Sequence, residues 1–261
     1  MDFRQKRTGQ IDINNMSPLS IGSIPEVITS DHVTNSIIKS GAKIWLPKGI
    51  TCNKYTPKKN MPFILRMVEA GILKETKIKP QHTILMFAVP KSDHTNPRMI
   101  LGFKPFTKSP KFKLPNITKL TQTASPKDYM IKLDLTNGFF HIKLNNKTNN
   151  LFGIKCQNKY FIINNLPQGL SISPYLMQRV MVNVVNKILE YVNVKIMIYL
   201  DDILLMGQPD QLEKAKTILF ASSFLFNLDK CNLTPTKCLT YLGVIVDLTQ
   251  KTLALTKNFV I

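Results

Sequence analysis

Two adjacent aspartates, Asp201 and Asp202, lie in the middle of an apolar stretch that runs from Lys195 to Met206. Burying two carboxylates there without a compensating charge would cost free energy, so the pattern indicates a cation beside them. A third carboxylate, Asp134, also ends an apolar segment and is followed by the turn sequence Leu-Thr-Asn-Gly-Phe-Phe. Asp201 and Asp202 taken alone are equally well explained by a solvent-facing hairpin turn.

If the two strand ends are neighbours, the three carboxylates converge, and hard oxygen ligands in that number suit magnesium. Two Mg²⁺ ions, or Mn²⁺ in their place, can activate an attacking hydroxyl and stabilise a leaving oxygen in phosphoryl transfer. The sequence contains no Gly-x-x-x-x-Gly-Lys-Ser/Thr loop, which disfavours a nucleoside-triphosphate hydrolase of that class.

The charge of the chain indicates a polyanionic partner. The 261 residues include 35 Lys and Arg against 16 Asp and Glu, a formal net charge of +19. Residues 41–120 contain 16 basic and 3 acidic side chains, which places +13 of the excess there. Combined with the carboxylates, this predicts metal-dependent chemistry on nucleic acid, although a solubilising surface of lysines would give the same net charge.

The four cysteines form no Cys-x-x-Cys pair and the histidines lie elsewhere in the sequence, so no zinc site is expected. The first residues contain no apolar signal core, and no stretch approaches the roughly 20 apolar residues that span a bilayer. We therefore expect a protein without membrane contact that acts inside the cell, in the cytoplasm or the nucleus, with reduced thiols.

Patterning predicts the elements that position the carboxylates. Residues 1–25 are polar and no element is predicted there. Helices are predicted from the Ser30-Asp31 cap to Gly41, over Met61–Ala70, from Ser173 as amino-terminal cap through Ile188, and over 211–226. Strands are predicted at 82–90 and 98–103, joined as a hairpin through a basic turn at 91–97, and at 129–133, 160–163 and 241–246. This irregular mixture favours an α+β fold over a doubly wound parallel sheet.

Four motifs resemble those of reverse transcriptases, in the family order and over roughly residues 80–250. Tyr199-Leu-Asp-Asp202 resembles the Tyr-x-Asp-Asp signature, and Lys132–Ile142 (KLDLTNGFFHI) resembles the first palm motif. Leu166–Pro174 (LPQGLSISP) resembles the Leu-Pro-x-Gly motif that precedes the palm helix. Leu233–Gly243 (LTPTKCLTYLG) resembles the segment that leads to the primer grip.

The resemblance implies the fingers and palm of a right-hand polymerase, with an antiparallel palm sheet packed on helices. It divides the chain into a polar amino-terminal arm (1–25), fingers with the early part of the palm (26–128), a palm with the catalytic motifs (129–250) and the start of a thumb (251–261). Because the chain stops at Ile261, the thumb itself is expected to be absent.

Three stretches are most similar to DIRS-like retrotransposons, the class that integrates through a tyrosine recombinase. They are Val27–Gly41 near the start, Arg98–Lys108 in the fingers, and Leu233–Lys237 with the following Leu-Gly.

For the chemistry, the resemblance implies that Asp134 and Asp201 bind both magnesium ions, while Asp202 is a weaker ligand or a neighbouring charge. The backbone from Leu135 to Phe139 would lie along the incoming triphosphate. Phe139 would be the steric gate, its ring occupying the space that a ribose 2′-hydroxyl needs. The alternative is that Phe139 and Phe140 are ordinary core aromatics.

Further residues would hold the substrates. Lys91 and Arg98 would bind the triphosphate, unless they belong to a solvated basic turn. Gln168 and Gly169 would contact the incoming nucleotide and the template, with glycine allowing close approach, unless they only form a turn before the helix.

Tyr199 and Leu200 would touch the primer end. Lys230 is the candidate general acid that protonates the pyrophosphate leaving group, and the sequence does not separate it from Lys237.

The sequence thus predicts a fragment of an RNA-directed DNA polymerase that binds an RNA or DNA template, a DNA primer and dNTPs. One alternative is a catalytically inactive nucleic-acid-binding remnant that lacks its thumb and binds weakly through lysines. A second alternative, an RNA-templated RNA polymerase with a similar palm, is disfavoured by Phe139 at the gate position. The sequence predicts no oligomeric state and no template preference.

Overall fold

The computed structural model describes residues 19–44, 49, 51–89, 98–103 and 110–256, with the backbone alone at positions 88, 98 and 99. These residues belong to two compact units. The first is built mainly from Lys43–Thr107 and Leu144–Ser171, and the second from Ile21–Ala42, Lys108–Lys143 and Ile172–Ile261. In the described part of the chain, no helix combines the length and apolar character that crossing a bilayer requires.

The helices are α1 (His32–Ser40), α2 (Met61–Glu69), α3 (Ile117–Thr123), α4 (Asn146–Asn149), α5 (Ser173–Ile188) and α6 (Pro209–Phe220), with short 3₁₀ turns at Lys58–Asn60, Gly138–His141 and Leu228–Lys230. The strands are β1 (Leu73–Thr76), β2 (His82–Thr83), β3 (Met86–Val89), β4 (Arg98–Leu101), β5 (Tyr129–Asp134), β6 (Phe152–Cys156), β7 (Lys159–Ile163), β8 (Val194–Tyr199), β9 (Asp202–Gly207), β10 (Asn232–Thr236), β11 (Cys238–Tyr241), β12 (Val244–Asp247) and β13 (Thr252–Leu255).

The first unit contains a four-stranded sheet in the order β1-β7-β6-β2 and the separate hairpin β3-β4. The predicted hairpin is confirmed, because β3 and β4 pair antiparallel with Val89 opposite Arg98. Its basic turn at 91–97 lies outside the described residues. The predicted strand at 82–90 is interrupted, since His82 and Thr83 instead pair in parallel with β6.

The second unit is organised around an antiparallel sheet in the order β10-β5-β9-β8. Successive side chains of a strand alternate between faces, so one face of this sheet carries Met130, Leu204 and Met206. These side chains pack with Leu120 of α3 and with the three-stranded sheet β11-β12-β13 in one buried cluster.

Helices α5 and α6 also pack against this sheet. The helix predicted from Ser173 is confirmed, although Ser173 is its first helical residue and Ile172 occupies the cap position without a capping side chain. The helix predicted over 211–226 begins at Pro209 and ends at Phe220, because an aromatic cluster of Phe220, Phe224 and Phe226 replaces its last turns.

The single strand predicted at 241–246 is wrong. Leu242 and Gly243 have φ angles of 49° and 78° and form a turn, so the run is split between β11 and β12. Continuous apolar patterning could not reveal this turn, because Leu242 adopts a left-handed conformation that leucine rarely takes.

Helix α1 is attached to α5 by an ion pair. Asp31 accepts a hydrogen bond from the amide of Thr34 as the predicted amino-terminal cap, and it also accepts two from Arg179, at 3.0 Å from Nε and 2.6 Å from one terminal nitrogen. The Arg179 guanidinium holds the pKa of Asp31 well below its usual range. Residues 27–41 are therefore an integral part of the second unit.

Candidate active site

Strand register brings two of the predicted carboxylates together. Asp134 is the last residue of β5 and Asp202 is the first of β9, and the two are direct cross-strand partners in the antiparallel pair. Directly paired residues project to the same face of a sheet. In a direct cross-strand pair the Cβ atoms are about 4.5–5.5 Å apart, so the two carboxyl groups lie side by side. Tyr199, at the end of β8, is opposite Asp202 on the other side and shares that face.

Asp201 lies in the two-residue turn between β8 and β9. Its carbonyl oxygen accepts a hydrogen bond from the amide of Leu135 at 3.2 Å, which ties the turn to the end of β5. The preceding residue, Leu200, has a φ of 57°, a strained conformation for leucine. The three carboxylates thus meet at one end of the central sheet, as the sequence predicted.

Gln178 of α5 holds the turn in this conformation. Its side-chain oxygen accepts a hydrogen bond from the amide of Leu200 at 2.7 Å, and its side-chain nitrogen donates to the carbonyl oxygen of Ile198 at 2.8 Å. Gln178 is only 9% exposed, so both bonds are shielded from water. A buried amide that clamps the backbone on both sides of Tyr199 stabilises the strained turn.

Burial and mutual repulsion disfavour the charged state of the carboxylates. Burial raises the pKa of Asp201 to about 6, and the charges of Asp202 and Asp134 raise it further while Lys230 opposes the rise. Burial also raises the pKa of Asp134, and the charge of Asp202 adds to it. Burial likewise raises the pKa of Asp202, with Lys132 and Lys230 acting against the rise. Ionising all three carboxyl groups together is therefore less favourable here than in water.

Two lysines lie beside this charge. Lys132, on β5, has its Nζ 3.9 Å from Oδ1 of Asp202. Lys230 is the last residue of the 3₁₀ turn Leu228–Lys230 and is exposed. Its charge opposes the rise in pKa of all three carboxyl groups.

Lys237 lies in a different place. Its Nζ donates to the carbonyl oxygens of Pro126 and Asp128, both at 2.8 Å, and lies 4.1 Å from the ring centroid of Tyr129. Tyr129 is at the opposite end of β5 from Asp134. Lys230 therefore lies near the three carboxylates, whereas Lys237 lies at the other end of β5. The sequence alone did not distinguish the two lysines.

The donor set fits a divalent cation that is completed by its substrate. Within the described residues, no three His, Cys, Asp or Glu side chains form a ready-made metal cage. Magnesium is usually held by one or two carboxylates together with substrate phosphates and water, so such a cage is not required. Asp134 and Asp202 are paired across the sheet, and Asp201 is the third carboxylate. All three supply hard oxygen donors, and a bound cation would relieve the repulsion between them.

The turn after β5 is also fixed by backbone hydrogen bonds. The amide of Leu135 donates to Asp201, and the amide of Thr136 donates to the carbonyl oxygen of Leu225 at 2.8 Å. The expected contact of Leu135 with a triphosphate would therefore have to use atoms other than its N–H. Phe140 is buried in the core, whereas Phe139 is only half-buried. The burial of Phe140 agrees with the core-aromatic alternative for that residue, and the role of Phe139 stays a prediction.

A buried histidine connects this turn to the segment before Lys230. His141 is 2% exposed; its Nε2 accepts a hydrogen bond from the amide of Leu225 at 3.1 Å, and its Nδ1 lies 3.1 Å from the carbonyl oxygen of Gly138. Accepting at Nε2 and donating at Nδ1 requires the neutral ring. Burial accordingly lowers the pKa of His141 to about 4.

This depressed pKa predicts a contribution of His141 to acid sensitivity. Below pH 6.5 the unfolded chain takes up a proton that the folded chain refuses until about pH 4. Relative to a His141→Gln variant, the free energy of unfolding of the wild type should therefore fall by about 3 kcal/mol between pH 7 and pH 4. Urea unfolding of both proteins across this range measures the difference. Parallel pH profiles would contradict the assignment of a neutral, buried His141.

The remaining predicted residues belong to the first unit or lie outside the description. Gln168 is half-buried and Gly169 is exposed, in the turn ahead of α5. Gly169 has a φ of 96°, and a Cβ there would lie 2.6 Å from the carbonyl oxygen of Leu101, so glycine is required for packing against β4. Arg98 is the first residue of β4, its side chain is outside the described atoms, and Lys91 lies outside the described residues. The nucleotide-binding roles of these four residues stay predictions.

Sequence reasoning missed Gln178 and His141. Gln178 precedes the buried Met181 and Val185 by three and seven positions, so its place on the apolar face of α5 was a detectable signal of a buried polar contact. The role of His141 depends on a partner 84 positions away, Leu225, which no local pattern reveals. Cys231 was missed for the same reason, although its Sγ accepts a hydrogen bond from the amide of Asp134 at 3.3 Å.

Comparison with known proteins agrees with this geometry. The sequence profile of the family described as "Reverse transcriptase (RNA-dependent DNA polymerase)" matches residues 61–246. The retrovirus-related Pol polyprotein from transposon 412 of Drosophila melanogaster is 26% identical over 211 residues, which cover 74% of this chain and 16% of that protein. Protein P of duck hepatitis B virus is 25% identical over 176 residues, covering 62% of this chain and 22% of that protein. The chain thus spans about a fifth of the length of these relatives.

Solved structures of the foamy viral protease–reverse transcriptase have a similar fold. The structure in complex with double-stranded DNA has a TM-score of 0.66 at 20% identity and covers 92% of this chain and 41% of that chain. The structure with an RNA/DNA hybrid also has a TM-score of 0.66, at 21% identity, and covers 92% and 31%. The predicted α+β fold with an antiparallel palm sheet is confirmed.

Proposed function

Because the chain belongs to the reverse transcriptase (RNA-dependent DNA polymerase) family, we propose that it carries RNA-directed DNA polymerase activity. It would transfer a nucleotide from a dNTP to the 3′-hydroxyl of a DNA primer on an RNA or DNA template, and release pyrophosphate. The observation that carries the proposal is the pairing of Asp134 with Asp202 at the end of the central sheet, beside Asp201 in its strained turn.

In this proposal, Asp134 and Asp201 hold two divalent cations, magnesium or manganese, and Asp202 is a weaker ligand or a neighbouring charge. The bound cations would supply Lewis-acid stabilisation of the primer oxygen and of the leaving pyrophosphate. The chain itself keeps the carboxylates close, partly buried and ionisable. Gln178 and the amide of Leu135 hold Asp201 in place, and Lys132 balances part of the charge of Asp202.

Lys230 is the proposed general acid for the pyrophosphate leaving group. It is exposed and close enough to the three carboxylates for its charge to oppose the rise in pKa of each. Tyr199 shares the sheet face with Asp202, and with Leu200 it would touch the primer end. Gln168, Gly169, Lys91 and Arg98 would bind the incoming nucleotide and template.

Phe139 is the proposed steric gate against ribonucleotides. Its half-buried ring leads us to expect that Phe139→Val lowers the preference for dNTP over the matching ribonucleotide by about 10- to 100-fold. The ratio of kcat/KM values for the two nucleotides in primer extension measures this preference. Phe140→Leu is the matched control, because Phe140 is buried; it should lower stability without changing the ratio. An unchanged ratio in Phe139→Val would remove Phe139 from the gate.

Primer extension tests the function directly. The chain is incubated with a primed RNA template, all four dNTPs and Mg²⁺, and a parallel reaction contains EDTA. Magnesium-dependent extension is the expected result. Absence of extension, together with template binding that weakens steeply with salt, would instead favour the inactive nucleic-acid-binding remnant.

We further propose that the chain is most similar to DIRS-like retrotransposons. The support is the sequence of the three stretches given above. The first of them contains α1 and Asp31, which forms an ion pair with Arg179. A reading frame for a tyrosine recombinase in the DNA that flanks the coding sequence would agree with this subgroup, and an integrase of another class would oppose it. Action in the cytoplasm or the nucleus stays a prediction.

A further inference from the structure

Gly138 approaches the Asp201 side chain more closely than any other residue type could. It is the buried first residue of the 3₁₀ turn after β5. A Cβ added at Gly138 would lie 2.5 Å from Cβ of Asp201, 3.1 Å from its Oδ2, and 3.1 Å from Cε of Met177. Carbon atoms in van der Waals contact are normally about 3.5–4.0 Å apart. The Met177 contact is the far end of a flexible side chain, whereas the Asp201 contact is next to its backbone.

Backbone conformation does not explain this glycine. Gly138 is not among the residues with positive φ, and the neighbouring Asn137, with a φ of 54°, takes the left-handed position of the turn. Alanine could therefore adopt the backbone angles of Gly138 without strain. What alanine would lack is space.

Neither side of the contact is free to retreat. The carbonyl oxygen of Asp201 is bound by the amide of Leu135, and the preceding Leu200 is held by Gln178. On the other side, the carbonyl oxygen of Gly138 contacts Nδ1 of the buried His141. A methyl group at position 138 would thus have to displace Asp201, or the turn itself, by roughly 1 Å to restore ordinary contact distances.

We propose that Gly138 is a positioning residue: the absence of its side chain creates the space that sets where the Asp201 carboxylate lies and how it faces a bound cation. The inference rests on the proposed function, in which Asp201 is a metal ligand. A misplacement of about 1 Å in a catalytic group is enough to lower the rate about 100-fold.

The first arm of the test measures thermal unfolding and needs no activity. Gly138→Ala should lower the melting temperature of the wild-type chain by about 5 °C. Gly138→Ala should lower the melting temperature by the same amount in an Asp201→Ala protein, because alanine keeps the Cβ of residue 201. In an Asp201→Gly protein, which lacks that Cβ, Gly138→Ala should have little effect. Gly102→Ala is the matched control, because a Cβ there would lie 3.5 Å from its nearest neighbour, an ordinary contact. An equal loss in all three backgrounds would overturn the proposed contact.

The second arm measures the metal. The Mg²⁺ concentration that half-saturates the rise in melting temperature should be at least about 10-fold higher for Gly138→Ala than for wild type, and primer extension by the variant should be about 100-fold slower. Gly102→Ala should match wild type in both readouts. An unchanged Mg²⁺ midpoint in Gly138→Ala would overturn the positioning role, even if unfolding shows the steric contact.

The two proposals fail in different ways. If wild type itself shows no magnesium-dependent extension, the polymerase proposal fails, whereas the unfolding cycle and the Mg²⁺ midpoint still decide the role of Gly138. If wild type extends primers and Gly138→Ala does so at the same rate and the same Mg²⁺ midpoint, the polymerase proposal stands and the inference about Gly138 is wrong.

Discussion

Replacing Asp201 by asparagine is expected to abolish primer extension and, at the same time, to make the metal-free chain more stable. The substitution keeps the shape of the side chain and removes the charge that would bind the cations. Loss of several kcal/mol of transition-state stabilisation corresponds to a rate decrease of about 1,000-fold or more. Extension with Mg²⁺ at saturating dNTP, compared between wild type and Asp201→Asn, measures the first effect.

The gain in stability follows from the raised pKa of Asp201. With a pKa of about 6 in the folded chain against an ordinary 3.8, the folded state holds a proton that the unfolded state has already released. This favours folding at low pH, and the advantage is lost as the pH rises from 3.8 through 6. At pH 7, Asp201→Asn should therefore be more stable than wild type by about 1–3 kcal/mol, a difference that shrinks as the pH falls toward 4.

Added Mg²⁺ should also reduce the difference, because it stabilises only the protein that binds it well. Asp210→Asn is a suitable control, since Asp210 is exposed in the first turn of α6 and should affect neither extension nor its metal dependence. Two results would contradict the argument. If Asp201→Asn retains magnesium-dependent extension, Asp201 is not an essential metal ligand. If Asp201→Asn is less stable than wild type at pH 7, the ionised carboxylate does not destabilise the folded chain.

The sequence predicted the elements whose signals are local. Asp31 caps α1 as its position before the apolar residues of that helix suggests, and β5 ends at Asp134 where its apolar run ends. The meeting of Asp134 with the Asp201-Asp202 pair was predicted on the condition that the two strands are neighbours, and the register of β5 and β9 meets that condition. These features depend on residue type and spacing along the chain.

The parts that could not be predicted depend on contacts between distant segments. The turn at Leu242-Gly243 interrupts an apolar run that reads as one strand. The tight fit of Gly138 against Asp201 requires knowing how the turn after β5 packs under the β8-β9 hairpin. Motif spacing also left Lys230 and Lys237 equivalent, since the two lysines are only seven positions apart in the segment that follows α6.

The structure makes these two lysines a matched pair for the second large effect. Lys230→Gln should lower kcat about 100-fold or more if Lys230 protonates the leaving pyrophosphate. Lys237→Gln should leave kcat unchanged and instead lower stability by about 1–3 kcal/mol, because Nζ of Lys237 donates to two carbonyl oxygens and contacts the Tyr129 ring. Single-turnover extension and urea unfolding of both variants measure the two quantities.

An arginine substitution separates acid catalysis from simple electrostatics at Lys230. Arginine keeps the positive charge that opposes the raised pKa of the three carboxylates, but at neutral pH it does not give up a proton. If Lys230 is the general acid, Lys230→Arg should remain as slow as Lys230→Gln. Recovery of the wild-type rate in Lys230→Arg would mean that only the charge matters, and a slow Lys237→Gln beside a fast Lys230→Gln would reverse the assignment.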